Sequence, residues 1–261
     1  MYSPYDWNEA IRHRSEYIEE RLAEGSPVSA ISCREGVLLV TVRAAQRKLF
    51  EVYERLAFSA VGQQADIEAV RLGAIDFAHQ EGYLRSPDDV TVGRVVAAIS
   101  PAVKKAFGDQ FAAPLVLRAL FAEVGKSPEA DTLYVLGYDG EFRVARGFAV
   151  VAGTPHAEQR MAEYLASALG DGAGRGGDAP PVSDALQVGL QAWAIGRMQR
   201  RAREEGEAAP TPEDAAAFLK HALSEGEVEA AVLERDIRRE SRFRGVGEME
   251  ILKYRNTEIG E

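Results

Sequence analysis

Two kinds of apolar spacing alternate in this sequence, and they predict runs of strands separated by pairs of helices. Residues 8–23 carry a partial apolar stripe at helical spacing, and Gly25 follows as a stop signal. Four runs rich in β-branched and other apolar residues come next, at 27–33, 37–42, 49–52 and 56–62. The chain is therefore predicted to open with one helix and a series of strands.

The rest of the sequence repeats this arrangement. Helical spacing over 65–80 and 91–107 predicts a helix pair, with Thr91 as an N-cap candidate. Further patterns predict strands at 115–124, 132–138 and 142–151, helices at 156–169, 183–203 and 211–223, and closing strands at 228–234 and 242–246. The segment Tyr138-Asp139-Gly140-Glu141 is typical of a hairpin turn.

Runs of strands followed by runs of helices favour antiparallel sheets with helix layers over a parallel βαβ winding. The prediction is an α+β fold, a four-layer αββα sandwich of two stacked antiparallel sheets flanked by helix layers, with an extra N-terminal helix. Residues 1–8 form an extended or turn-like leader, and residues 9–255 form the single domain. That domain includes the helix at 9–23 and a glycine-rich flexible loop at 170–181, and residues 256–261 are a frayed tail.

Composition narrows the class of protein. A net charge of −10 disfavours nonspecific binding to nucleic acid, which requires clustered basic residues. The apolar runs are too short to cross a bilayer, and no signal peptide is expected. The single cysteine, Cys33, is expected to be buried, and the lack of a second cysteine fits a reducing cytoplasm. The basic stretch 197–203 is interpreted as a solvated helix end.

No metal or cofactor site is expected. The four histidines (His13, His79, His156 and His221) lack metal-ligand spacing. The glycine-rich loop lacks the Lys-Ser/Thr ending of a phosphate loop, and the adjacent Asp88 and Asp89 suit helix capping better than acid-base chemistry.

One candidate nucleophile needs a decision. Ser26 follows Gly25 at the head of a predicted strand, where a hydroxyl becomes reactive only beside a base and a group that lowers its pKa. The same dipeptide suits a plain turn from helix into strand, and Pro27 leaves no backbone N–H next to the hydroxyl. The residues favour the turn but leave both interpretations open.

Several segments, in order, resemble the proteasome family within the N-terminal-nucleophile hydrolase fold, and most closely its bacterial α-type subunits. They are SPYDWNEAIRHRSEY, GVLLVTV, RKLFEVYERLAFSAVGQQAD, LYVLGYDGEF, EAAVLERD and RFRGV. The resemblance implies that Ser26 aligns with the terminal threonine of the catalytic β-type subunits and that Lys48 matches their conserved lysine. The expected acidic residue is replaced by Val42.

The resemblance implies a noncatalytic subunit of a threonine-protease complex. It would form a homo-oligomeric heptameric ring in the cytoplasm, cap β-type subunits and take part in regulated protein degradation. A gate is implied at Tyr2, Ser3, Pro4, Tyr5 and Asp6.

The resemblance also implies that a ring-shaped ATPase activator docks its C-terminal tails between neighbouring subunits. Lys48 would receive the tail carboxylate, Gly62 would form a pocket wall, and Glu16 would lie near the base of the gate. Two alternatives stay open, namely an autoprocessed serine hydrolase that uses Ser26 with Lys48, and a scaffolding homologue without a β-type partner. No nucleic-acid, membrane, metal or cofactor partner is expected.

Overall fold

The structure, a computed structural model, describes residues 4–109, 111–170, 179–199, 211–224 and 226–251. Within these ranges the chain forms two five-stranded sheets. The α-helices are α1 (Pro4–Leu22), α2 (Gln64–Leu84), α3 (Val92–Gly108), α4 (Pro155–Leu169), α5 (Val182–Gln199) and α6 (Pro212–Ala222).

The described strands pair with their neighbours in the antiparallel sense. They are β1 (Val28–Ser32), β2 (Gly36–Arg43), β3 (Leu49–Tyr53), β4 (Leu56–Gly62), β5 (Leu117–Glu123), β6 (Thr132–Leu136), β7 (Phe142–Ala145), β8 (Phe148–Val151), β9 (Glu227–Glu234) and β10 (Phe243–Gly245). One sheet has the order β10-β9-β2-β1-β8, and the other has the order β3-β4-β5-β6-β7.

Three buried clusters define the layers. The central cluster joins the facing sides of the two sheets, for example Leu39 and Leu120. A second cluster covers the other face of the first sheet with α4, α5 and α6, and a third covers the other face of the second sheet with α2 and α3. The predicted four-layer αββα sandwich with an additional N-terminal helix is confirmed.

The N-terminal helix begins earlier than predicted. Residues 4–7 were expected to be extended, but α1 starts at Pro4. Proline suits the first helical position because its fixed φ is helical and its missing N–H has no partner there. At the other end, Ile18 and Leu22 are fully buried in the central cluster, so α1 closes one end of the sandwich.

The predicted strand 142–151 is wrong as a single element. The chain breaks at Gly147, whose φ of +77° lies in the left-handed region that favours glycine. Strand β7 pairs with β6 in one sheet, and β8 pairs with β1 in the other, so this short segment passes from sheet to sheet.

The hairpin turn that was predicted before this segment is confirmed, with Gly140 at φ +82°. The N-cap prediction for α3 also holds, because Thr91 Oγ1 accepts the Arg94 N–H at 3.4 Å. The predicted loop at 170–181, the predicted end of α5 beyond residue 199 and the predicted tail at 256–261 lie largely or wholly outside the described residues.

Candidate functional site

A cavity of about 390 Å³ opens where the α1–β1 connection meets the β2–β3 connection. We call it the Lys48 cavity. Residues 43–48 form one wall, which carries the basic side chains Arg43, Arg47 and Lys48. The rest of the described lining is largely apolar, and the described lining residues are Gly25, Ser26, Arg43, Ala44, Ala45, Gln46, Arg47, Lys48, Phe50, Ala60, Gly62, Gln64 and Ile67. No carboxylate of the described residues belongs to this lining, so the cavity combines positive charge with an apolar surface.

Lys48 is the central cation of the cavity. Its Nζ donates a hydrogen bond to the backbone carbonyl of Ser26, and no described carboxylate lies within 4.0 Å of it. The pKa of Lys48 is lowered to about 7, chiefly because burial disfavours the charged form; Glu229 acts in the opposite direction, and the Arg197 charge contributes to the lowering. The ammonium is therefore held in a site where an anion from outside would stabilise it.

Glu229 on β9 fixes the backbone that carries Lys48. Its carboxylate accepts the Lys48 N–H at 2.8 Å and the Leu49 N–H at 3.2 Å. Because β9 and β3 belong to different sheets, these bonds tie the start of β3 to the opposite sheet. The carboxylate thereby sets the position of the Lys48 backbone without occupying the cavity.

The Ser26 hydroxyl is engaged in the fold. Its Oγ donates to the Val42 carbonyl at 2.6 Å and accepts the Trp193 Nε1–H at 2.8 Å. Thr41 Oγ1, which lies 3.5 Å from Ser26 Oγ, donates to the Pro27 carbonyl at 2.6 Å. Lys48 contacts the Ser26 carbonyl and not its hydroxyl, so the described contacts give the hydroxyl no general base.

Two glycines allow the backbone to approach closely at this site. A Cβ on Gly25 would collide with Val61 Cγ1, because the α1–β1 connection lies directly on β4. Gly62 has φ +149°, and a Cβ there would collide with the Val116 carbonyl oxygen. Side chains at these positions would distort the cavity, which accounts for glycine at both.

The structure brings some of the predicted site residues together and separates others. Lys48, Gly62 and Ser26 line the same cavity. Glu16 does not line it, and instead lies on an exposed face of α1, 3.8 Å from Arg12. Of the predicted gate residues, Pro4, Tyr5 and Asp6 fall in the first turn of α1, whereas Tyr2 and Ser3 lie outside the described residues.

Sequence reasoning missed three side chains that shape the cavity, namely Glu229, Trp193 and Arg47. The signal for Glu229 was a charged residue inside an apolar strand pattern, which often has a buried partner. Trp193 lies within the predicted helix 183–203, and nothing in its spacing indicated that its indole would reach Ser26. Arg47 directly precedes Lys48, but its exposure at the cavity rim depends on the fold.

The cysteine and two of the histidines considered in the sequence analysis take part in packing or hydrogen bonding within the fold. Burial raises the pKa of Cys33 to about 12, as expected for a buried thiol. His156 hydrogen-bonds Gln199 at 2.8 Å, and His79 packs edge-on against Tyr53. No cluster suited to a metal ion occurs among the described residues, and within the same ranges no helix combines the length and hydropathy of a membrane span.

The chain is similar to bacterial proteins named proteasome subunit alpha. It is 32% identical over 228 residues to that of Actinosynnema mirum, a match that covers 87% of this chain and 77% of the relative. It is 30% identical over 188 residues to that of Frankia casuarinae, covering 71% and 74%. The Streptomyces coelicolor protein is 30% identical over 186 residues, covering 70% and 69%. No protein-family model matches the chain.

Proposed function

Because this chain belongs to the family of bacterial proteasome α subunits, we propose that it is a noncatalytic subunit of a heptameric ring. The ring caps a chamber of β-type subunits in the cytoplasm, restricts the access of substrates and docks the C-terminal tails of a ring-shaped ATPase activator. The Lys48 cavity is the docking site, and the proposal is argued from its charges and from the packing of α1.

The observation that carries docking is that the Lys48 ammonium has no described carboxylate within 4.0 Å. It lies partly buried in a cavity whose lining contains no carboxylate, and its described hydrogen bond goes to a backbone carbonyl. A peptide carboxylate placed beside it would form a charge-assisted hydrogen bond. Gly62 leaves the adjacent wall free of a side chain, so a peptide backbone has room to approach.

The packing of α1 supports the noncatalytic role. A mature chain beginning at Ser26 would lose Ile18 and Leu22, which are 0% exposed and part of the central core. The Ser26 hydroxyl also donates its hydrogen bond to the Val42 carbonyl, so it is not poised for attack. These contacts disfavour the autoprocessed serine hydrolase.

The test of docking is Lys48→Ala in particles assembled with the β-type partner. Activator-stimulated degradation of a folded substrate should fall by about tenfold or more, because a charged hydrogen bond is worth roughly 1.5–3 kcal/mol. Hydrolysis of a small peptide should change much less. The matched control is Lys104→Ala, which removes a lysine whose side chain is 69% exposed and pairs with Glu141. Unchanged stimulation in the Lys48 variant would reject the docking role.

Gating is tested separately by deleting residues 1–7. The shortened chain keeps the buried residues Ile18 and Leu22, so it should assemble normally. We expect particles with this deletion to degrade an unfolded protein without activator faster than intact particles do. Equal rates in the two particles would contradict a gate at residues 2–6. Failure of the chain to assemble with any β-type subunit would favour the scaffolding homologue.

A further inference from the structure

The Lys48 cavity has a second cation that the fold leaves available. The Arg47 side chain is 66% exposed at the rim, and its described ion pair is a long contact of 3.8 Å to Glu229 Oε1. That carboxylate already accepts two backbone N–H groups, from Lys48 and Leu49. Arg47 therefore has donors to offer a ligand in the cavity.

Arg43, on the same wall, differs from Arg47. Its side chain is 25% exposed, it pairs with Glu227 at 2.7 Å, and it donates to the Ala45 carbonyl at 2.9 Å. Its charge is thus neutralised within the chain, whereas the Arg47 charge is not closely matched. The two arginines are expected to contribute differently to a bound anion.

The apolar part of the lining restricts the ligand further. Phe50, Ala60 and Ile67 supply an apolar surface in the same cavity as the basic residues. A ligand that complements both kinds of surface has an apolar side chain and more than one negative charge. A peptide carries one charge at its terminal carboxylate, so the second must come from an acidic side chain.

We infer that the cavity selects peptide C-termini with an acidic side chain within the last three residues. Lys48 receives the terminal carboxylate, Arg47 pairs with the acidic side chain, and the apolar wall takes a neighbouring side chain. The inference rests on the proposed docking function and adds the class of tail that the site prefers. Arg47 is then the specificity-determining residue, because it contacts the part of the ligand that varies between peptides.

The test uses short fluorescein-labelled peptides of one apolar sequence, made in matched forms. One series has Glu or Gln at the penultimate or antepenultimate position, and each member is made with a free C-terminus or a C-terminal amide. Anisotropy with rings assembled from the full chain gives the Kd of each. We expect the Glu peptide to bind about two- to fivefold more tightly than the Gln peptide at low ionic strength, as befits an exposed ion pair. Added salt should reduce the preference.

Three variants assign the preference to a residue. Arg47→Gln should abolish the difference between Glu and Gln peptides, and Arg47→Lys should retain most of it. Arg85→Gln is the control for net charge, since that arginine is 58% exposed and does not line the cavity. The substitution Trp7→Phe leaves Trp193 as the single tryptophan of the chain. Trp193 is hydrogen-bonded to Ser26, which lines the cavity. A change in its fluorescence emission therefore reports whether peptides bind in the cavity.

The possible failures are distinguishable. If free-acid peptides bind more tightly than amides but Glu and Gln peptides bind equally, the acidic preference is wrong and the docking role stands. A Glu preference that survives in Arg47→Gln also overturns the assignment. If free acids and amides bind alike, or no peptide binds, both the docking role and the preference fail.

Discussion

Lys48 has an unusual combination of surroundings. Its ammonium is partly withdrawn from water, and no described carboxylate pairs with it. Desolvation disfavours the charged form, and the attraction of Glu229 offsets this effect only in part, so an added anion would favour the ammonium. A ligand carboxylate would restore the missing interaction, which is why the ammonium favours an anion from outside the chain.

Binding of a peptide carboxylate should therefore depend on pH. Because the pKa of Lys48 is lowered to about 7, the ammonium is fully formed only below neutral pH in the free chain. The bound carboxylate raises that pKa, so binding takes up a proton and affinity falls as pH rises above about 7. Anisotropy titrations between about pH 6 and pH 9 should show a steeper loss for free-acid peptides than for amides. A flat profile for the free acid would contradict a titrating Lys48 in the site.

Glu229 should contribute to stability through the backbone that it holds. Glu229→Ala removes the acceptor of two N–H groups and should lower the free energy of unfolding by about 1–3 kcal/mol. Urea unfolding measures this loss. Glu227→Ala is the control, because that side chain is 71% exposed on the same strand and its removal should cost less than about 0.5 kcal/mol. Equal effects of the two substitutions would show that the Glu229 bonds do not hold the β2–β3 connection.

Among the secondary-structure elements, a buried ion pair joins the two sheets. Arg235, just after β9, donates to both carboxylate oxygens of Asp131 at 2.8 and 2.9 Å, directly before β6. Arg235 also donates to the carbonyls of Gly125 and Cys33, at 2.8 and 3.0 Å. Asp131 is fully buried, so each charge depends on the other.

Breaking this pair should be costly. Asp131→Ala leaves the Arg235 charge buried without its partner and should lower the free energy of unfolding by about 3–5 kcal/mol. Replacing both residues, as Asp131→Leu with Arg235→Met, should recover part of that loss because no isolated charge remains. Urea unfolding of the single and double variants checks both expectations. A double variant less stable than Asp131→Ala would show that the arginine stabilises the fold mainly through its bonds to carbonyls.

The elements were predictable from sequence wherever one period held over the full length of a helix or strand. The helix α3 is an example, because its apolar residues keep helical spacing and Thr91 marks a cap. The crossing at Gly147 was not predictable, because both halves of 142–151 have strand-like residues and periodicity cannot show a change of sheet.

The candidate site was predictable only in part. Lys48 and Gly62 came from the resemblance to a family, and the structure places both in one cavity. Glu229 and Trp193 reach the site from residues far along the chain, so their contribution depends on the packing of β9 and α5 and not on local spacing. Contacts of this kind cannot be inferred from the pattern of a single segment.

At the scale of the whole molecule, the packing of α1 distinguishes an unprocessed subunit from a processed enzyme, because processing would remove this helix. Its buried residues fill the end of the central core, and Arg14 donates to the carbonyls of Ala106 and Ala112 at 3.0 and 3.1 Å. Glu19 accepts the Tyr138 hydroxyl at 3.0 Å, which attaches the same helix to the second sheet. A chain that discarded α1 would lose all of these contacts.

Deleting residues 1–25 should consequently prevent stable folding. Truncating one buried large aliphatic side chain typically costs about 2–5 kcal/mol, and this deletion removes both Ile18 and Leu22 together with the polar contacts of α1. Because small domains are stable by only about 5–15 kcal/mol, the shortened chain should be insoluble or lose its cooperative thermal transition. Circular dichroism melts of the soluble fraction measure this, with the chain lacking residues 1–7 as the folded control. A cooperative transition in the longer deletion, with labelling of Ser26 by a covalent hydrolase inhibitor, would establish the processed enzyme instead.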